Sequence, residues 1–187
     1  MQRLLEGKNV NLRVVERDDV DFEVQCLNDL DFSGEYNPIG EQISKVELMN
    51  RFDNPSNLAI LIELKWFIIQ KKDGTRIGLM YHRVCQPWKL MEIGCFFVPM
   101  ERGKEYGTEA TQIIVDYLFL SQNIIRIQAI TNVKNKAAQK TLEKAGFRTE
   151  GTIRKLHFVR GVWTDYYLYS ILREEWKEPK ILTKPLE

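Results

Sequence analysis

The chain has 187 residues, and this length predicts a single domain over residues 1–187. Its 27 Lys and Arg nearly balance its 26 Asp and Glu, so bulk charge gives no reason to expect a nucleic-acid or membrane partner. Nine Phe, seven Tyr and four Trp exclude a disordered protein, because so much apolar ring surface can offset the entropy cost of ordering the chain.

Cysteine and histidine usage excludes further classes. The three cysteines contain no C-x-x-C pair, so we expect reduced thiols in a cytoplasmic protein rather than a disulfide framework. Two histidines are too few for a multi-histidine centre, and no metal site is expected. The apolar run 58–69 is interrupted by Glu63 and Lys65 and is shorter than the roughly 20 residues of a membrane-spanning helix.

The first elements are a strand and two helices. Val10–Val14 alternates apolar and polar residues, as a half-buried strand does. Asp18 and Asp19 are candidate N-caps for the first helix, and the polar stretch 31–40 predicts a loop. Ser44 to Glu47 has the spacing of a capping box and opens the second helix.

A β-meander fills the middle of the chain. The runs 66–70 and 77–84 flank Asp73-Gly74, which is a strong hairpin signal. The run 91–98 is apolar except for Glu92, so it predicts a strand buried on both faces.

The remaining elements alternate in period. A helical stripe at 110–118 precedes an alternating strand at 125–131, and a second stripe at 138–145 ends at a glycine C-cap. Two strands, 152–159 and 163–172, follow, and the tail after 176 is expected to fray. The order predicts an α+β fold with a mixed, mostly antiparallel sheet flanked by helices.

One segment carries the signs of an anion site. Between the strand 91–98 and the next helix lies Arg102-Gly103-Lys104-Glu105-Tyr106-Gly107-Thr108. The glycines permit a tight turn, the helix start presents unpaired N–H groups, and Arg102 and Lys104 add two cations. A pyrophosphate would fit there. The alternative is an ordinary strand-to-helix turn with surface cations. The segment matches neither a Walker loop nor the dinucleotide fingerprint.

Three segments together resemble the GNAT N-acetyltransferases. Residues 102–110 resemble the acyl-CoA motif R/Q-x-x-G-x-G/A of that superfamily, and 135–147 resembles its N-x-x-S/A…G-F segment. The ending 161–176 is similar to the RimJ/RimL-like branch, named for ribosomal-protein N-terminal acetyltransferases. The likeness spans roughly residues 8–176.

The resemblance implies splayed central strands with acetyl-CoA held between them. It places the acyl arm at the amides near Phe97 and Val98, and the pyrophosphate at the amides of 103–108. Asn135 would line the thiol side. The acceptor would be a small-molecule or peptide amine, and the protein a monomer or a homodimer.

The chain departs from the family pattern at two places. Glu105 replaces the first glycine of the motif, and a carboxylate about 4 Å from a phosphate would cost ~1 kcal/mol in water. We expect this side chain to face solvent. At the positions where many members carry a serine or tyrosine acid, this chain has Ala138 and Leu142, which cannot donate a proton.

Glu92 is the candidate general base, because it is the lone carboxylate in its apolar strand and some family members use a glutamate at a similar place. The alternative role for Glu92 is an ion pair with a surface cation. A backbone N–H near Phe97 would stabilise the oxyanion.

Acidic residues at 31, 35 and 41 could attract a cationic acceptor, although a solvated loop is the commoner explanation. Tyr167 and Tyr169 are expected to be core rings with a polar tip, and the two histidines are expected to be structural or exposed. The predicted activity is acetyl-CoA-dependent N-acetylation of a primary amine. The alternative is a catalytically idle CoA-binding or sensor module.

Overall fold

An eight-stranded sheet organises the computed structural model, which describes residues 5–40, 42–53, 64–85 and 90–182. The strands lie in the order β1-β2-β3-β4-β5-β6-β8-β7. The strands are β1 (Leu5–Glu6), β2 (Val10–Val14), β3 (Lys65–Lys71), β4 (Arg76–Cys85), β5 (Leu90–Phe97), β6 (Arg126–Asn132), β7 (Arg148–Val159) and β8 (Val162–Leu172). The helices are α1 (Val20–Asn28), α2 (Lys45–Asp53), α3 (Tyr106–Ser121) and α4 (Lys136–Ala145).

Local turn and cap chemistry places these elements where the sequence predicts them. Gly74 adopts φ +86° in the β3–β4 hairpin, and Gly161 adopts φ +91° between β7 and β8. Ser44 Oγ accepts a hydrogen bond from the N–H of Glu47 (3.1 Å) at the start of α2. Gly146 ends α4 with φ +104°. A glycine favours such positive φ values because it has no Cβ to clash.

The sheet changes character between β5 and β6, which form its parallel pair. Their pairing covers only Met91 with Ile127 and Glu92 with Gln128, although both strands continue beyond these residues. The other pairings in the described sheet are antiparallel. The expected α+β fold with splayed central strands is therefore confirmed.

Both faces of the sheet are covered. α3 packs on one face through a fully buried stripe of Ala110, Ile113, Ile114 and Leu118. On the opposite face, a smaller cluster of Cys26, Phe32, Ile68 and Leu79 joins α1 and the following loop to the sheet. The apolar run 58–69 is described only from residue 64. No described helix has the length and apolar character that crossing a bilayer requires.

Asp19 differs from its expected role as a helix cap. Its carboxylate is buried and accepts hydrogen bonds from both terminal guanidinium nitrogens of Arg13 at 2.6 Å. It also pairs with Arg76 at 2.7 Å. Burial alone would raise the pKa of Asp19, but the hydrogen bonds from Arg13 and the Glu16 N–H lower it below its ordinary value. The carboxylate therefore anchors β2 and β4 rather than α1.

The tail does not fray up to residue 182, contrary to expectation. The buried carboxylate of Asp116 in α3 accepts hydrogen bonds from the backbone N–H groups of Lys180, Ile181 and Leu182. It also accepts one from Trp176 Nε1 at 2.8 Å. The composition of the tail could not predict these contacts, because Asp116 lies 60 residues before Trp176, in α3.

His82 is a buried titratable group in the core. Its ring is 4% exposed and packs against Phe67 and Tyr117, and in the described residues neither ring nitrogen has a hydrogen-bond partner. Burial, with a smaller effect of the Lys65 charge, lowers the pKa of His82 from 6.5 to about 4. The folded protein therefore keeps this ring neutral at a pH where the unfolded chain protonates it.

We expect His82→Phe to remove a pH-dependent loss of stability. In the wild type, stability is fully present above pH 6.5 and falls as the pH drops toward 4, because only the unfolded chain gains the proton. This loss is about 2 kcal/mol at pH 5. Urea unfolding at pH 8 and pH 5 measures it. The control His157→Phe changes the half-exposed histidine, and an equal pH dependence in both variants would contradict the assignment.

Candidate functional site

The gap between β5 and β6 exposes backbone donors. Val98 N–H donates to Ile77 O at 3.0 Å, so the expectation that this amide faces the gap is wrong. Because successive N–H groups of a strand point to opposite sides, those of Cys95 and Phe97 point away from β4 and toward β6. β6 has already diverged at that level. The Phe97 amide therefore points into the gap, and its expected contact with an acyl arm stays a prediction.

The turn from β5 into α3 gathers further donors. Gly103 has φ +75° and Glu105 has φ +64°, and these turns direct successive N–H groups to one side. In the described part of the chain, the N–H groups of residues 103–107 donate to no backbone or side-chain oxygen. The N–H of Thr108, which we also expected in this set, donates to Glu105 O at 3.1 Å. The remaining amides sit at the positive end of a 16-residue helix.

Glu105 turns its charge away from these amides. Its side chain is 74% exposed, and its carboxylate contacts Lys144 Nζ on α4. That hydrogen bond and charge lower the pKa of Glu105 below its ordinary value. Its left-handed backbone costs roughly 1 kcal/mol relative to glycine. The residue that departs from the motif therefore keeps the glycine-like backbone conformation and directs its charge to a lysine.

The cations of the loop are already engaged. Lys104 Nζ pairs with Glu101 at 2.9 Å. Arg102 donates through Nε to Phe97 O at 3.1 Å and through Nη2 to Phe32 O at 2.9 Å and to Asp31 O. Arg102 therefore holds three carbonyl oxygens, which differs from the free cation expected beside a phosphate.

The remaining loop residues have packing roles. Tyr106 is half-buried against the core. A Cβ at Gly107 would lie 3.4 Å from Thr141 Cγ2 and 3.5 Å from the Phe97 ring, which is ordinary van der Waals contact, so packing there does not require a glycine. Asn135 caps α4 by accepting the Ala138 N–H at 3.1 Å. Its expected place beside a thiol stays a prediction.

Glu92 lies at the point where β5 and β6 separate. Its side chain is 5% exposed, its Oε1 is 2.6 Å from Arg83 Nη2, and its Oε2 accepts from Gln128 Nε2 at 3.1 Å. Met91 and Ile93 face the α3 core, so Glu92 projects from the opposite face. An ion pair is the alternative role that the sequence predicts for Glu92, and the structure contains that pair.

Tyr81 and Arg83 are neighbours of Glu92 that sequence reasoning missed. Arg83 stands directly opposite Glu92, and Tyr81 opposite Gly94, in the β4–β5 register. A Cβ at Gly94 would lie 2.4 Å from the Tyr81 ring, so the glycine makes room for that ring. Burial, and then the Glu92 charge, raises the pKa of Tyr81, which keeps its hydroxyl protonated. The β4–β5 register was the signal that could have found them.

An open groove of about 1120 Å³ adjoins the start of α3. Four lysines contribute to its lining, together with three glutamates and the tail residues 180–182. These lysines are Lys8, Lys104, Lys144 and Lys180. The groove therefore extends a partly cationic surface from the free amides of the turn.

The tyrosines divide by strand parity. Tyr167 and Tyr169 pack on the helix-covered core, as expected, and the Tyr169 hydroxyl contacts Glu143 Oε1 at 3.2 Å. Tyr166 projects to the other face, where its hydroxyl donates to Tyr36 O at 2.7 Å.

Of the acidic loop, residue 41 lies outside the described residues. Among the described side chains, no group of three or more His, Cys, Asp or Glu is arranged to hold a metal ion.

Comparison with known families gives a match over most of the chain. The model of the acetyltransferase (GNAT) domain matches residues 9–148. The uncharacterized N-acetyltransferase YnaD of Bacillus subtilis is 39% identical over 85 residues, which are 46% of this chain and 50% of YnaD. The uncharacterized N-acetyltransferase p20 of Bacillus licheniformis is 28% identical over 184 residues, covering 92% of this chain and 97% of p20. The chain thus aligns with about half the length of YnaD and nearly all of p20.

A solved structure shares the fold. The spermidine N-acetyltransferase of Vibrio cholerae, crystallised with CoA and spermine, superposes with a TM-score of 0.78 at 22% identity. The match covers 90% of this chain and 98% of that chain. The splayed sheet and the turn before α3 therefore lie within a fold that is known from experiment.

We expect Glu105→Gln to change the CoA dissociation constant by less than about threefold. The carboxylate is directed to Lys144 and solvent, so removing its charge relieves little repulsion of a phosphate bound at the amides of residues 103–107. Isothermal titration calorimetry with CoA measures the change. Affinity that rises tenfold or more would show that the carboxylate faces the phosphates.

Proposed function

The chain belongs to the GNAT acetyltransferase family, and from this premise we propose that it transfers the acetyl group of acetyl-CoA to a primary amine. The observation that supports the proposal is the set of unpaired N–H groups along the β5–β6 gap and the turn before α3. Backbone donors at a helix start suit a pyrophosphate, and donors along an open strand edge suit the amide groups of a pantetheine arm.

The residues present fit the cofactor. The amides of 103–107 would hold the pyrophosphate, and Phe97 N–H would face the acyl end of the gap. Lys8 in the neighbouring groove adds positive charge, whereas Lys144 pairs with Glu105 and Lys180 donates to Ala145 O. Bound acetyl-CoA would supply the thioester whose acetyl group is transferred.

The reaction forms a C–N bond and breaks a C–S bond. The neutral amine attacks the thioester carbonyl, the acetyl group passes to nitrogen, and CoA leaves as the thiol after taking up a proton. A backbone N–H that is already oriented, as that of Phe97 is, stabilises negative charge on the carbonyl oxygen without reorganisation during the reaction.

Glu92 is the proposed proton acceptor. Its carboxylate is buried beside the separating strands and held by Arg83 and Gln128, so its orientation is fixed before substrate arrives. Ala138 and Leu142 cannot donate a proton to the departing thiolate, and a thiol whose pKa is about 8.5 is a tolerable leaving group that takes up the proton released by the amine through Glu92.

The proposed acceptor is a protein N-terminus or a small-molecule amine. An α-amino group with a pKa of about 7.7–8.0 is roughly 10–20% neutral at pH 7, whereas a lysine-type amine near 10.4 is only ~0.04% neutral. An acceptor of the first kind therefore needs little help from a base. Asp31 and Glu35, in the loop above the gap, would attract the protonated form of either kind of amine.

We expect acetylation to be detectable in a thiol-release assay with acetyl-CoA and a panel of peptides with free N-termini, polyamines and aminoglycosides. Multiple turnovers with any one acceptor support the enzyme. Tight CoA binding without turnover across the whole panel would instead favour the alternative function, a CoA-binding sensor. The residues that motivate this alternative are Ala138 and Leu142, which cannot donate a proton.

We expect Glu92→Gln to lower kcat/KM by about 10²-fold at pH 7, because the amine loses its proton acceptor. The loss should shrink above pH 9, where more of the amine is already neutral. The matched control is Glu150→Gln, a strand glutamate paired with Arg126 at the sheet edge. A pH–rate profile of both variants decides the role. An equal effect in the two, or a loss that does not change with pH, would exclude Glu92 as the base.

A further inference from the structure

Residues 31–36 of the loop after α1, named here the strap, lie across the wide end of the β5–β6 gap. One end of the strap is held by Arg102, whose Nη2 donates to Phe32 O at 2.9 Å and to Asp31 O. The same guanidinium donates through Nε to Phe97 O at 3.1 Å, the last residue of β5. A single side chain thus joins the strap to the end of one diverging strand.

The other end of the strap is held from the second diverging strand. Tyr36 O accepts from the Tyr166 hydroxyl at 2.7 Å and from Asn132 Nδ2 at 3.4 Å. Asn132 is the last residue of β6, and Tyr166 is its partner on β8. The C-terminal ends of β5 and β6 are therefore bridged by the strap at the place where the strands have moved apart.

Between these anchors the strap packs on the sheet through Phe32, which belongs to the buried cluster with Cys26, Ile68 and Leu79. The Phe32 ring is 4% exposed and lies 6.0 Å from the Phe96 ring. Asp31 and Glu35, the acidic residues of the strap, are carried by a segment whose position depends on carbonyl hydrogen bonds and this one ring. Loss of an anchor would let the segment move without unfolding the sheet.

We propose that Arg102 is a positioning residue for the amine acceptor rather than a ligand of the CoA phosphates. The inference rests on the proposed function and deepens it. The planar guanidinium reaches three carbonyl oxygens at once, and in doing so it fixes the strap above the acyl end of the gap. The phosphate is left to the backbone amides of 103–107.

Arg102→Lys separates the two roles. A lysine keeps the positive charge that a phosphate requires, but its compact ammonium cannot reproduce the fork that spans carbonyls on the strap and on β5. The matched control is Arg173→Lys, because Arg173 also holds three backbone carbonyls, those of Phe119, Gln122 and Ile124, at the opposite end of β6.

The first measurement is amide hydrogen exchange of the free protein. We expect Arg102→Lys to speed exchange in residues 31–36 at least tenfold and Arg173→Lys to leave this segment unchanged. Tyr166→Phe, which removes the hydroxyl at the other anchor, should also speed exchange in the strap. Unchanged exchange in both Arg102→Lys and Tyr166→Phe, with folding verified by circular dichroism, would overturn the proposal.

The second measurement separates acceptor from cofactor. In Arg102→Lys we expect the CoA dissociation constant to stay within about threefold, and KM for the best amine of the panel to rise at least tenfold with kcat little changed. A preserved amine KM would overturn the positioning role, and CoA affinity weakened tenfold in Arg102→Gln but not in Arg102→Lys would make Arg102 a phosphate ligand. If wild type acetylates no amine, the proposed function fails, and the exchange data alone decide whether Arg102 holds the strap.

Discussion

The site depends on backbone hydrogen-bond donors that the sheet leaves unpaired. β5 and β6 pair through only two residues each and then separate, although both continue for several residues. A buried N–H without a partner costs free energy, so a strand edge opened inside a sheet is stable only where water or a ligand can meet its donors. The same requirement applies to the N–H groups of residues 103–107 at the start of α3.

Side-chain charge contributes less to this site than the loop sequence suggests. Arg102 holds carbonyl oxygens, Lys104 pairs with Glu101, and Glu105 is directed to Lys144. What remains for an anion is the backbone itself, with the dipole of a long helix behind it. This division of work lets a glutamate occupy a glycine position of the motif, because its backbone conformation matters more than its charge.

The element order, the hairpins and the position of the anion loop could be predicted from the sequence, because period, turn residues and caps are local properties. The occupied amide of Val98 and the three-carbonyl contact of Arg102 could not, since both depend on partners far along the chain. Asp116 likewise binds the tail after residue 176, which the sequence predicts to fray. That Tyr166, rather than its neighbours, reaches Tyr36 O could not be predicted either, because strand parity is fixed only once the register with β6 is known.

The central claim is that the unpaired backbone amides of β5 and of residues 103–107 bind CoA. Titration of ¹⁵N-labelled protein with CoA, followed by heteronuclear NMR, tests it directly. We expect saturable chemical-shift changes that are largest at the N–H groups of residues 103–107 and at those of Cys95 and Phe97. Binding that leaves these amides unperturbed while shifting others, or no saturable change at all, would contradict it.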